Sequence, residues 1–231
     1  MTDDNAINNY CLPIVCASVK DIEVTIEENV NTFQYFEIWV DYLDTFEPDK
    51  IAKLVSLYPG RLIIVLRRKL LAPVQLSFDQ HAYLLEHLAG LDMYLDLDIF
   101  DQKKQLQNLS LKTAHNALIC SYHNYERTPT QAELDDIIAS MEVFKPLIYK
   151  MSCQCPNEAA SLQLLETLLA LRSQHKRFIV LGMGKYGLAT RIFGPAWGNE
   201  LNFLVSKIDD ASAPGQLTVD QFKSISKLIG A

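Results

Sequence analysis

No apolar run in this chain approaches the ~20 residues needed to span a membrane, which excludes the ordinary helical membrane protein. Basic residues are scarce as well. The formal net charge is −7, and the one dense cationic cluster, Arg67-Arg68-Lys69, is too short to form a nucleic-acid surface. Cysteine is limited to five residues (Cys11, Cys16, Cys120, Cys153 and Cys155), an odd number without framework spacing, which fits reduced thiols. Cys153 and Cys155 form a lone C-x-C with no second pair and no nearby histidine, so a zinc site is set aside in favour of a structural role. The start, Met1-Thr2-Asp3-Asp4, is acidic and has no basic segment, apolar stretch or small-residue cleavage site. A cytoplasmic location is therefore expected. No low-complexity linker or change of composition divides the 231 residues, so one domain over 1–231 is the economical expectation.

What is present is the composition of a globular protein, 49% apolar and 21% charged. Apolar, β-branched runs recur at Leu12–Ala17, Phe36–Val40, Leu62–Leu66, Met93–Leu97, Ala117–Cys120, Leu147–Met151, Phe178–Leu181 and Leu201–Val205. Between them, apolar residues return at three- and four-residue spacing in Ile22–Asn31, Pro48–Leu57, Asp79–Leu88, Gln131–Phe144 and Ala159–Gln174. Eight strands alternating with helices in this length predict an α/β protein, a compact (β/α)8 barrel. Two intervals depart from the pattern. Asp101–His115 is polar and reads as a short helix, and Gly182–Glu200, with its glycines and Pro195, reads as a loop-rich crossover. Near the end, Ala213-Pro214-Gly215-Gln216 is a turn signal before the amphipathic stretch Val219–Leu228, the expected last barrel helix.

His123 and Lys150 each fall at the C-terminal end of an apolar run, and in a parallel barrel those ends share one face. Burial near Ile148, Tyr149 and Met151 would favour the neutral amine of Lys150, which can attack a ketone. The resulting imine, once protonated, acidifies the neighbouring carbon, and His123 has the acidity to move that proton near neutral pH. The plainer readings are a surface lysine at a strand end and a histidine bonded to loop backbone. Arg191 has a guanidinium fork suited to a carboxylate, or else caps a helix against a surface acid. Gly182-Met183-Gly184-Lys185-Tyr186-Gly187 matches G-x-G-x-x-G, with Asp209 about 20 residues on, as in dinucleotide sites. Gly194, Pro195 and Gly198 break the helix that such a site would need, and too little chain remains for the rest of the unit. Cys120 and Cys153 lie close in sequence to the candidate residues, and packing is their expected role.

Taken in order, these landmarks resemble the type I 3-dehydroquinate dehydratases over nearly the whole chain, from Pro13 to the C-terminal helix. Ser121-Tyr122-His123-Asn124-Tyr125, followed by Thr128-Pro129, is similar to the family's histidine segment, and Lys150 matches its imine-forming lysine. Met183–Arg191 is similar to the stretch that ends in a Ser/Thr-Arg pair, and Ser212-Ala213-Pro214-Gly215-Gln216 matches the S-A-P-G-Q loop. The resemblance implies a (β/α)8 barrel, usually a homodimer, needing no metal or other cofactor. It implies that Lys150 forms an imine at C3 of 3-dehydroquinate, that His123 removes a C2 proton, and that the C1 hydroxyl leaves to give 3-dehydroshikimate. By the same carry-over Arg191 holds the substrate carboxylate, Ser212 and Gln216 line a closing loop, and Glu37 and Arg67 meet hydroxyls. Two positions depart from the family. In Glu37-Ile38-Trp39-Val40-Asp41 a tryptophan replaces an arginine, and Leu71 falls where a glutamate supporting the histidine is expected. Trp39 either enters the pocket or packs between strand and helix. The departures keep two alternatives open: another lysine-imine barrel such as a class I aldolase, and a family member that binds ligand without efficient turnover.

Overall fold

The computed structural model describes residues 9–66, 76–112, 117–208 and 212–229. Eight parallel strands run in barrel order: β1 (Tyr10–Ile14), β2 (Tyr35–Trp39), β3 (Leu62–Val65), β4 (Tyr94–Asp98), β5 (Ala117–Asn124), β6 (Ile148–Gln154), β7 (Phe178–Met183) and β8 (Asn202–Val205). Each of β1 to β6 pairs with the next strand, and β8 returns to pair with β1. The two-residue β9 (Leu217–Thr218) adds to the outer edge of β8. Helices α1 (Val19–Asn29), α2 (Pro48–Leu57), α3 (Phe78–His87), α4 (Lys103–Lys112), α5 (Gln131–Glu142), α6 (Glu158–Ser173), α7 (Leu188–Trp197) and α8 (Val219–Ile229) follow the strands in turn. This is the (β/α)8 architecture that the alternation of apolar runs predicts.

The strand period of two divides the interior into two compartments. Phe36, Ile38, Leu62, Ile64, Leu95, Leu97, Tyr149, Met151 and Val180 point outward, into the layer beneath the helices. Their neighbours Cys11, Ile63, Val65, Ile119, Ile148, Ile179, Leu181 and Phe203 fill the barrel itself. By the same alternation Glu37, Asp96, Ser121, His123 and Lys150, each lying between outward-facing neighbours, point inward. Polar side chains in the middle of apolar strands thus converge on one axis.

The seam between β7 and β8 is closed by a side chain. Phe178 forms a single parallel bridge with Asn199, and Glu200 N donates to Phe178 O at 2.9 Å. The amide of Asn199 then imitates a strand, accepting from Val180 N at 2.8 Å and donating to Val180 O at 3.1 Å. Gly194 makes room for it, since a Cβ there would lie 2.4 Å from Asn199 Nδ2.

The crossover over Gly182–Glu200 differs from the loop-rich expectation, because it contains the ten-residue α7. Pro195 falls in the last turn, where a missing N–H leaves only the Arg191 carbonyl without its helical donor. Gly198, at φ 111°, ends the helix in the left-handed region and donates back to Gly194 O and Pro195 O. The breakers mark the end of this helix rather than its absence. Polar N-caps define other helix starts: Ser77 with Gln80 on α3 and Thr130 with Glu133 on α5 form reciprocal capping boxes.

Candidate active site

Lys150 is the third residue of the seven in β6, so it lies within the strand, not at its end as the apolar run suggests. Its side chain is almost fully buried, and its surroundings are ionic. Nζ donates to Glu37 Oε1 at 2.6 Å and to Asp96 Oδ2 at 2.7 Å, and it sits 4.6 Å above the Phe203 ring. The remaining carboxylate oxygens are engaged as well. Trp39 Nε1 donates to Glu37 Oε2 at 2.8 Å, and Ser121 Oγ donates to Asp96 Oδ1 at 2.5 Å. The expectation of an apolar nest favouring the neutral amine is therefore corrected: Tyr149 and Met151 face the helices, and two carboxylates favour the ammonium.

Register places the second residue. Ser121 pairs with Lys150 and His123 with Ser152, so the imidazole stands one pleat above the amine, toward the mouth. His123 Nδ1 lies 3.2 Å from Asp98 Oδ2, which also accepts the His123 backbone N–H at 3.1 Å. Asp98 Oδ1 accepts from Phe100 N at 2.9 Å and Asp101 N at 3.2 Å. The Tyr125 ring stacks on the imidazole with centroids 6.3 Å apart.

Arg191 projects from α7 into the same cavity and is only 7% exposed. Its Nε donates to Gly182 O at 3.2 Å, and among the described residues no carboxylate lies within ion-pair distance of it. Burial pulls the guanidinium's pKa down to about 10, so it remains a cation at neutral pH. A buried cation with unused donors is built to receive an anion.

Ser212 and Gln216 close the cavity from the segment after β8. Gln216 Oε1 accepts from Ser212 N at 2.9 Å and from Ser212 Oγ at 3.2 Å. The segment rests on the turn after β7, where Gly184 N donates to Pro214 O at 3.1 Å. Gly215, at φ 82°, lies so close that a Cβ would be 2.8 Å from Gly184 O. Its place in the S-A-P-G-Q run is thus a requirement of space and conformation.

The cavity, about 470 Å3 with its open mouth, collects Glu37, His123, Lys150, Arg191, Ser212 and Gln216 from the residues named on sequence grounds. Trp39 also lines it, which decides between its two readings: the indole enters the pocket, hydrogen-bonds Glu37 and meets Tyr42 edge-on at 5.6 Å. Arg67 and Leu71 lie outside the described residues. The dinucleotide reading of Gly182–Gly187 has a packing explanation instead. Gly182 and Gly187 press together, a Cβ on Gly187 falling 2.3 Å from the Gly182 carbonyl carbon, and the barrel order has no crevice where strand order reverses. Cys120 and Cys153 pack in the outer core, and burial pushes the Cys153 thiol up to about 12.

Sequence reasoning missed Asp96 and Asp98. The signal was present in Tyr94-Leu95-Asp96-Leu97-Asp98, where two carboxylates at a spacing of two interrupt an apolar strand. Carboxylates at that spacing share a face, and in a barrel whose outer face is covered by helices that face is the interior.

Comparison with known proteins places these observations in a family context. The family model for type I 3-dehydroquinase matches residues 10–231. A 3-dehydroquinate dehydratase of Streptococcus sanguinis is 26% identical over 226 residues, covering 94% of this chain and 97% of the relative. One from Methanococcus vannielii is 29% identical over 235 residues, covering 95% and 99%. Among solved structures, the 3-dehydroquinate dehydratase of Geobacillus kaustophilus superposes with a TM-score of 0.83 at 19% identity, covering 96% of this chain and 91% of that one. The type I 3-dehydroquinate dehydratase of Clostridium difficile, solved with covalently modified comenic acid, gives 0.80 at 21% identity, covering 96% and 92%. At these identities the structural likeness speaks for the fold.

Proposed function

The chain belongs to the type I 3-dehydroquinase family, and from that premise we propose that it eliminates water from 3-dehydroquinate to give 3-dehydroshikimate through an imine on Lys150. The observation that carries this reading is the meeting of a buried amine, an imidazole and a buried guanidinium, with no carboxylate at ion-pair distance from the guanidinium among the described residues, in one cavity. It suits a keto acid, with the carboxylate on Arg191 and the ketone at Lys150.

Lys150 must first lose a proton, and Glu37 and Asp96, both within hydrogen-bond distance of Nζ, are the acceptors. The neutral amine adds to the C3 ketone, and loss of water gives the imine. Once protonated, the imine draws the C2–H bonding electrons toward nitrogen as His123 accepts the proton. The C1–O bond then breaks, its electrons leaving with the hydroxyl, which takes a proton from His123 and departs as water. Hydrolysis of the imine consumes one water and restores Lys150, so the net loss is one water per substrate. Ser212 and Gln216 enclose the ligand, and Arg67 contributes to hydroxyl binding. Glu37 already holds Lys150 and Trp39, so its contact with substrate hydroxyls requires it to rearrange.

The same reading takes the chain as one barrel domain over 1–231, a homodimer in the cytoplasm. Among the described residues no helix is long and apolar enough to cross a membrane. Borohydride trapping with 3-dehydroquinate, followed by peptide mass spectrometry, tests the reading. A reduced adduct on Lys150 together with release of the conjugated enone product is the expected result. An adduct without product would indicate a ligand-binding member that does not turn over, and folded protein giving neither would require a different keto acid.

A further inference from the structure

We propose that Asp98 is the positioning residue for His123, holding the imidazole in the tautomer whose Nε2 lone pair is available to move the substrate proton. The inference rests on the reading that His123 carries that proton.

The Asp98 carboxylate is immobilised from all sides. Oδ1 accepts two backbone N–H groups of the turn after β4, from Phe100 and Asp101, and Oδ2 accepts the backbone N–H of His123 on the next strand. Three backbone donors fix its position and keep it ionised. An ionised carboxylate has no proton to give, so the imidazole nitrogen 3.2 Å from Oδ2 must supply the N–H. With Nδ1 protonated, the neutral ring carries its lone pair at Nε2. The same carboxylate stabilises the imidazolium that forms once His123 has taken the proton, as the acid does in a catalytic triad.

The support reaches a third strand. Asp98 N donates to Gln102 Oε1 at 2.6 Å, and Gln102 Nε2 donates to Leu66 O at 3.0 Å, just past the end of β3. His123, Asp98 and Gln102 thus join the ends of β5, β4 and β3. The imidazole's orientation is inherited from the barrel frame and needs no loop to close. Among the described residues, the other charged or titratable groups lining the cavity are Lys150, Glu37, Arg191 and Tyr125.

Asp98→Asn is the test. Its carbonyl oxygen can keep the two turn N–H groups, which turns the amide NH2 toward His123 and sets donor against donor. Nδ1 must then become the acceptor, and the proton moves to Nε2. The expected result is a kcat lower by roughly 10²–10⁴-fold with little change in KM. The acid limb of the kcat profile should move to lower pH, because removing a neighbouring negative charge disfavours the imidazolium. Borohydride capture at Lys150 should persist, since the amine is untouched. Unchanged kcat and an unchanged acid limb would overturn the proposal.

Should Asp98→Asn not fold, nitrogen NMR of the unsubstituted protein decides the matter, with the His123 signals identified by their loss in His123→Gln. Protonation at Nδ1 is expected, and protonation at Nε2 in the neutral ring would overturn the inference. If the unsubstituted protein captures no 3-dehydroquinate yet shows the Nδ1 proton, the substrate reading fails while the positioning device stands.

Discussion

Replacing Lys150 with methionine keeps most of the side-chain volume but removes the cation between two buried carboxylates. Glu37 Oε1 and Asp96 Oδ2 both lie within hydrogen-bond distance of the same nitrogen, at 2.6 and 2.7 Å. The two oxygens are therefore separated by about 5 Å at most, and at an effective dielectric of about 20 two like charges at that range repel by roughly 3 kcal/mol. Trp39 and Ser121 still donate one hydrogen bond to each acid, which softens the loss without neutralising it. Breaking a buried ion pair by deleting one partner costs about 3–5 kcal/mol, or roughly 6–20 °C in Tm for a domain of this size.

The variant relieves the repulsion by taking up a proton, which raises one carboxylate's folded-state pKa above its unfolded value of about 4. The folded state then binds more protons than the unfolded state, and the variant's stability falls as pH rises between those two values. Chemical denaturation at about pH 8 and about pH 5, in a buffer of fixed ionic strength, reads this directly. Lys150→Met should be several kcal/mol less stable than the unsubstituted protein at the higher pH, with a smaller deficit at the lower. Adding Glu37→Gln should recover much of the loss by removing one of the two charges. A deficit below about 1 kcal/mol, equal at both pH values and untouched by Glu37→Gln, would refute the ion cluster as the environment of Lys150.

Arg191→Gln should raise KM for 3-dehydroquinate by about 10–100-fold, the equivalent of a lost charge-assisted hydrogen bond, with a smaller effect on kcat. Steady-state kinetics check this, and an unchanged KM would remove Arg191 from carboxylate binding. At the start of α5, Arg127 and the Thr130 cap hold the Glu133 carboxyl at about 2. Its folded value is depressed, so its contribution is present above the unfolded pKa and lost as pH falls through the folded one. The Tm difference between the unsubstituted protein and Glu133→Gln should therefore be present at neutral pH and fade from about pH 4 downward toward about pH 2. A difference constant across that window would mean that the carboxylate plays no part in the cap.

The sequence alone determined the barrel, because each strand is a short apolar run buried on both faces and each helix announces itself by its period. The strand ends were less legible. The apolar runs at β5 and β6 stop early where Ser121–Asn124 and Ser152–Gln154 continue the strands, with Ser121, His123 and Ser152 facing inward by the alternation, and reading apolarity cuts those residues off. Helix α7 was hidden for a related reason, since the glycines that read as breakers are there to admit Asn199 and to end the helix. His123, Lys150 and Arg191 were named from residue type and strand placement, and Glu37, Ser212 and Gln216 from the family resemblance; all six line one cavity. Only the tertiary structure decided what surrounds them. Which side chain a strand residue meets depends on the neighbouring strand and its register, and no local pattern specifies these. That is why Asp96 beside Lys150 and Asp98 beside His123 became visible when β4, β5 and β6 took their places around one axis.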